Sequence, residues 1–254
     1  MLQDLPVWLA HFRSQSAHPR QVPTTLDDTL SLRERRLIGA SIATFQLGES
    51  SDGVRLRAAV QRHCRAHGDH GLVELFDLFI AEEQRHASLL GEFMQDHEIA
   101  PRERALTDEA FRLLRGVGGL RARLRILVTA EIVGIVYYRA LEVVTDCRRL
   151  QILCRTLVAD ELAHVAFESR LLLDSRPSPG LPRLLAQAWE QGLLAGAALA
   201  VWATHRRVLK SAGYGPWLFL RDCRSQYAFY LKWPAAPGGS RRHRAQRPLS
   251  PHGT

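Results

Sequence analysis

Two Glu-x-x-His quartets, Glu83-Gln84-Arg85-His86 and Glu161-Leu162-Ala163-His164, lie inside long apolar helical patterns. Each is matched by an isolated acid, Glu49 or Glu131, on a further pattern of the same kind. Three residues of α-helix turn through about 300°, so a Glu and the His three positions later project from nearly one face and can hold one ion together. Supplied twice, the motif can hold two ions. The composition alone predicts about 0.6 such quartets by chance, so the phase of the quartets within their helices has to carry the argument.

Proline and glycine punctuate patterns of helical period, and nothing alternates as a half-buried strand would, so the expected fold class is all-α. Residues 4 to 14 suit a short lead-in helix, followed by a loop through Pro19 and Pro23. Ser31 with Glu34 reads as a capping box. The first long helix is expected to start there and to run through an irregularity at Gly53 to about His67. Its inward face is Ile38, Ile42, Phe45, Glu49, Leu56 and Val60. A second helix, Gly71 to His97, stops before Pro101 and turns Leu72, Phe76, Phe79, Glu83, His86, Leu90 and Phe93 inward.

The third, Thr107 to Val144 with a bend near Gly116 to Gly119, carries Leu124, Leu127, Glu131, Ile135 and Tyr138 on one side. The fourth, Asp146 to Asp174, has Leu150, Leu153, Leu157, Glu161, His164, Glu168 and Leu171 in phase and ends near Pro177. A fifth, Pro182 to Lys210, and a sixth, Pro216 to Leu231, are expected to pack outside the first four. The resulting division is a lead-in segment (1–30), a four-helix bundle (31–174), additional C-terminal helices (175–232) and a basic tail (233–254). The tail is rich in Pro, Gly, Ser and Arg, buries too little to offset the entropy of ordering, and is expected to be disordered.

All six candidate ligands, Glu49, Glu83, His86, Glu131, Glu161 and His164, replace apolar residues near the middle of their helices. Four ionised carboxylates facing one core lose hydration and repel each other, at several kcal/mol per group unless cations or protons intervene. Two divalent ions cancel four charges. The competing arrangement turns some helices outward and leaves Glu49 and Glu131 solvated.

The remaining composition narrows the setting. The formal charge of +8 includes four Arg in the tail, and without them it is +4. A modest balance of this kind, with no clustered Arg, Lys and aromatic patch outside the tail, gives no expectation of nucleic-acid binding. Cys64, Cys147, Cys154 and Cys223 form no Cys-x-x-Cys, so reduced structural thiols are expected and a thiolate metal centre is not. The N-terminus lacks the basic start and apolar run of a secretory signal, which makes the cytoplasm the simplest address. The apolar segment Gly192 to Ala203 is too short to cross a bilayer and reads as buried helix, so no transmembrane segment is expected.

The order Glu49, Glu83-x-x-His86, Glu131, Glu161-x-x-His164 resembles the ferritin-like di-iron carboxylate superfamily over residues 31 to 174. The stretch Phe-Ile-Ala-Glu-Glu-Gln-Arg-His at 79 to 86 is similar to its rubrerythrin-like and oxidase-oxygenase branches. The resemblance implies a ferritin-like bundle in which Glu49, Glu83 and His86 serve one metal and Glu131, Glu161 and His164 the other, with Glu83 and Glu161 bridging. It also implies that the acids preceding the quartets support the opposite imidazoles, Asp160 with His86 and Glu82 with His164.

Oxygen and imidazole ligands favour two iron ions, or manganese with iron. The implied activity is an O2-dependent oxidase or oxygenase of hydroxylase type, acting on a small organic substrate with a separate electron donor, in a monomer or dimer. Phe45, Phe79, Phe167, Tyr137 and Tyr138 are candidates for an apolar wall beside the centre. The alternatives are an iron-handling ferroxidase or peroxide scavenger, and a ferritin-like binding protein without turnover. A hydroxylase of modified tRNA ranks below these. Additions before and after the bundle would encumber a storage cage, and the chain lacks the Cys-rich electron-transfer module of peroxide scavengers.

Overall fold

The computed structural model describes residues 4–23, 28–51, 53–68, 70–104, 118–174 and 181–232. All regular structure among them is helical. In chain order the helices are α1 (Leu5–Ala17), α2 (Leu32–Glu49), α3 (Val54–His67), α4 (Gly71–Asp96) and α5 (Leu120–Val144). They are followed by α6 (Arg148–Asp174), α7 (Leu181–Thr204), α8 (Arg206–Ser211) and α9 (Pro216–Lys232). The expected first turns of the third helix, from Thr107, and the basic tail from 233 lie outside the described residues.

The core is built by α2, α4, α5 and α6, with α3 packed against α4 and α5. Its apolar content follows the helical stripes: Ile38 and Ile42 from α2, Phe76, Phe79 and Phe93 from α4, Ile135 and Tyr138 from α5, and Leu150, Leu153 and Leu157 from α6 are buried. Helix α1 lies against α4, while α7, α8 and α9 pack on the α5 side.

Two boundaries differ from the sequence expectation. The first long helix is broken at Ser50–Gly53, so Glu49 closes α2 where a mid-helix position was expected. Gly53 has φ +65°, and a Cβ there would lie 2.5 Å from Ile80 on α4. Glycine alone tolerates both the left-handed backbone and that approach. The fifth expected helix is likewise interrupted at His205.

The segment Gly192 to Ala203, expected as buried helix, is buried on one face only: Leu194, Ala197, Ala198 and Val201 are inside and Leu199 is exposed. Earlier in α7, Leu181, Leu184, Leu185 and Trp189 also face out. By length and composition α7 is the one helix among the described residues long and apolar enough to cross a membrane.

The expected cap is present and does more than start a helix. Ser31 accepts a hydrogen bond from the Glu34 amide, and the Glu34 carboxylate accepts from the Ser31 amide at 3.0 Å and its hydroxyl at 2.6 Å. The same carboxylate accepts from the Asp146 amide at 2.8 Å and the Thr145 hydroxyl at 3.0 Å, tying the start of α2 to the turn between α5 and α6. Partial burial would raise its pKa, but these hydrogen bonds outweigh that and hold it down to about 2. Its stabilising contribution is therefore present above the unfolded value and is lost as pH falls through about 2. Glu34→Ala is expected to cost about 2 kcal/mol at neutral pH, read as a lower urea midpoint. An unchanged midpoint would show that the tie adds no net stability.

Candidate metal centre

Helices α2, α4, α5 and α6 bring all six candidate side chains together. One set, Glu49, Glu83, His86 and Glu161, offers one ligand atom each with all four atoms within 4.8 Å of one another. A second set, Glu83, Glu131, Glu161 and His164, meets the same limit. Glu83 and Glu161 belong to both. Glu161 stands between the imidazoles, with Oε1 3.3 Å from His86 Nδ1 and Oε2 3.2 Å from His164 Nδ1. Glu83 Oε1 lies 3.0 Å from His164 Nδ1 and 3.7 Å from His86 Nδ1.

The far nitrogens point away from this cluster. His86 Nε2 lies 3.2 Å from Asp160 Oδ2, and His164 Nε2 lies 3.0 Å from Glu82 Oε2. This is the pairing implied by the resemblance, and it leaves both Nδ1 atoms turned toward the shared carboxylates. Asp160 is itself held as an anion: burial raises its pKa, but the hydrogen bond with His86 and the nearby Arg20 and Arg85 bring it below the usual range. The Arg20 and Arg85 guanidinium groups both donate to it.

Asp160→Asn keeps the shape and weakens the acceptor. It is expected to lower metal affinity by about 10- to 100-fold with both ions still bound at saturation, measured by anaerobic Co(II) titration. Unchanged affinity would disconnect Asp160 from the imidazole.

Protons and cations compete for this site. Burial lowers the His86 pKa, yet hydrogen bonds with Asp160 and Glu161 drive it up to about 10, and His164 is likewise raised against burial by Glu161, Glu82 and Glu83. Glu161 is held down to about 2 by the two imidazoles despite its burial. Burial, with the neighbouring carboxylates adding to it, raises Glu49 and Glu131 well above the carboxylate range. His86 Nδ1 and Glu83 Oε1 face the shared carboxylates and the His164 ring, and the buried Glu131 carboxyl meets that of Glu168 in a hydrogen bond. Carboxyl groups buried this close cannot all ionise without a counter-charge. Atoms so placed, around a set of hard oxygen and imidazole donors, fit a pair of divalent first-row ions.

Sequence reasoning passes over several groups here. Glu168, one turn after His164, is wholly buried, where periodicity alone makes it one more member of the α6 stripe. The available signal is its phase with Glu161 and His164. Phe12 of α1 stacks on the His164 ring with centroids 5.8 Å apart. Tyr138, a candidate wall residue, donates instead to Glu49 Oε1 at 2.7 Å.

A cavity of about 110 Å³ reaches the cluster between α2, α5 and α7. Its walls include Phe45, Leu127, Val133 and Val201, and Glu49, Glu83, Glu131 and Glu161 all border it. Of the five expected wall aromatics only Phe45 lines this cavity. Tyr137 stacks against Phe45 at 3.7 Å, and Phe79 and Phe167 lie on the α1 side with Phe12. His205 also borders the cavity, its pKa lowered to about 3 by burial and Arg102, so its ring is neutral. Its Nδ1 lies 2.7 Å from the Ser41 hydroxyl.

No protein-family model, curated protein or solved structure matches the chain.

Proposed function

We propose that the chain is a ferritin-like dinuclear metalloenzyme, an O2-dependent oxidase or oxygenase acting on a small, apolar, uncharged organic substrate. The observation that carries this reading is the meeting of two ligand sets, sharing Glu83 and Glu161, at one end of an apolar cavity. Two iron ions, or manganese with iron, would supply the electrons for O2 reduction and the oxidant for the substrate.

The protein's own contribution is position and environment. Phe45, Leu127, Val133 and Val201 surround the approach with hydrocarbon, which excludes water and favours an organic guest over a hydrated ion. Among the described residues no Arg or Lys borders the cavity, so an anionic substrate would meet four carboxylates without a counter-charge. Tyr138 fixes one oxygen of Glu49 and leaves the other free to ligate. The neutral His205 and the Thr44 hydroxyl are uncharged polar groups placed to orient the guest.

The test is metal analysis followed by anaerobic loading with two equivalents of Fe(II) and measurement of O2 uptake, with and without a panel of neutral aromatic and alicyclic compounds. Uptake stimulated by a panel member, with a product altered by oxidation, is the expected result. Uptake indifferent to every compound but continuing through many Fe(II) per chain would replace this reading with iron handling.

A further inference from the structure

We infer that Glu168 is a seventh metal ligand, serving the ion position formed by Glu131 and His164, so that the two halves of the centre are unequal. This inference rests on the dinuclear reading above. Glu168 lies four residues after His164 on α6, which puts both on one face. Its relative exposure is 0%, and its carboxyl shares a hydrogen bond with that of Glu131. The other groups that dominate its electrostatic surroundings, His164, Glu83 and Glu161, are all members of the cluster.

Two buried carboxyl groups hydrogen-bonded to each other share one proton, and having lost their hydration they can both ionise only beside a cation. Glu131 and Glu168 are such a pair, on the His164 side of the cluster. Glu168 stands one turn beyond His164, next to the four-atom set of Glu83, Glu131, Glu161 and His164 through its bond with Glu131.

The His86 side is built differently. Its outer carboxylate, Glu49, already accepts from Tyr138 and sits at a helix end bordering the cavity. One position thus has a single outer carboxylate tied to a phenol, the other has two tied to each other. The more anionic half should bind its ion more tightly and leave the His86 half as the more open face toward the cavity.

The experiment uses the full chain, freed of metal by chelation and titrated anaerobically with Co(II), whose visible absorption reports coordination. The wild-type chain is expected to show two steps differing by at least about tenfold in affinity. In Glu168→Gln the tighter step should weaken by at least about tenfold and change its absorption, while the weaker step stays as it was. Two Co(II) bound by Glu168→Gln with wild-type affinities and spectra, or with a tighter first step, would overturn the assignment.

Should the variant not fold, Mössbauer spectra of the wild-type chain loaded with 57Fe(II) decide the matter. Two distinct ferrous doublets are expected, and a single doublet would overturn the inference. Neither readout involves O2, so failure of the oxidase reading leaves this result standing. A wild-type chain that binds no Co(II) would remove the metal centre itself.

Discussion

Glu161→Ala is expected to abolish binding of both ions, taking the metal content from two equivalents per chain to near zero under conditions that saturate the wild type. The reason is geometric. Glu161 is the carboxylate with one oxygen toward each imidazole, at 3.3 Å and 3.2 Å, and it belongs to both four-ligand sets. Its removal takes one donor from each four-ligand set and removes an anionic charge that the two sets share. Glu49→Ala makes the comparison. It belongs to the His86 set alone, so one ion should remain. Elemental analysis after anaerobic loading, with helicity checked by circular dichroism, separates the cases. Equal losses in the two variants would contradict the shared role of Glu161.

Metal affinity should also climb steeply with pH. In the metal-free protein His86, raised to about 10, and His164, also raised, carry protons at neutrality, and Glu49 and Glu131 are raised in the same direction. Ligation requires the deprotonated forms, so loading must expel protons. Each proton displaced makes the binding constant about tenfold stronger per pH unit, which gives about a hundredfold per unit from the two imidazoles alone. Anaerobic Co(II) titrations between pH 6 and 8, with proton release followed by indicator in weak buffer, measure both quantities. Affinity that does not vary over that range would show that the imidazoles are already neutral.

The sign for the metal-free fold is opposite. A histidine whose folded pKa is raised contributes stability in full below its unfolded value of about 6.5, and this is lost as pH rises through about 10. The metal-free chain should therefore melt at progressively lower temperature above neutrality, while the loaded chain should not.

The convergence of the six side chains was legible because each interrupts an apolar stripe at a position whose phase is fixed by helical geometry. The capping box at Ser31 and Glu34 was legible for a similar reason, being a local pattern with a local cause. What escaped depends on contacts between distant segments. An irregularity at Gly53 was expected, but that α2 ends outright before it, with Gly53 against Ile80, involves a contact that no window around residue 53 contains.

The cavity draws its walls from α2, α5 and α7, and its aromatic lining could not be chosen from five candidates that share the same periodicity. Glu168 was in plain phase with Glu161 and His164, but a charge in an apolar stripe is ambiguous until its burial is known. The burial of Glu168, complete on α6, is a tertiary fact.

The segment that follows α1 ends far from the quartets in sequence and adjoins them in space. Arg20 donates to Asp160, Asp160 meets His86, and Phe12 lies flat against His164. Both imidazoles are thus braced from outside by the first two dozen residues. A chain trimmed to begin at the cap of α2 would keep every candidate ligand and still lose the outer bracing of its nitrogens, so the amino-terminal strap has to travel with the bundle whenever the centre is transplanted or redesigned.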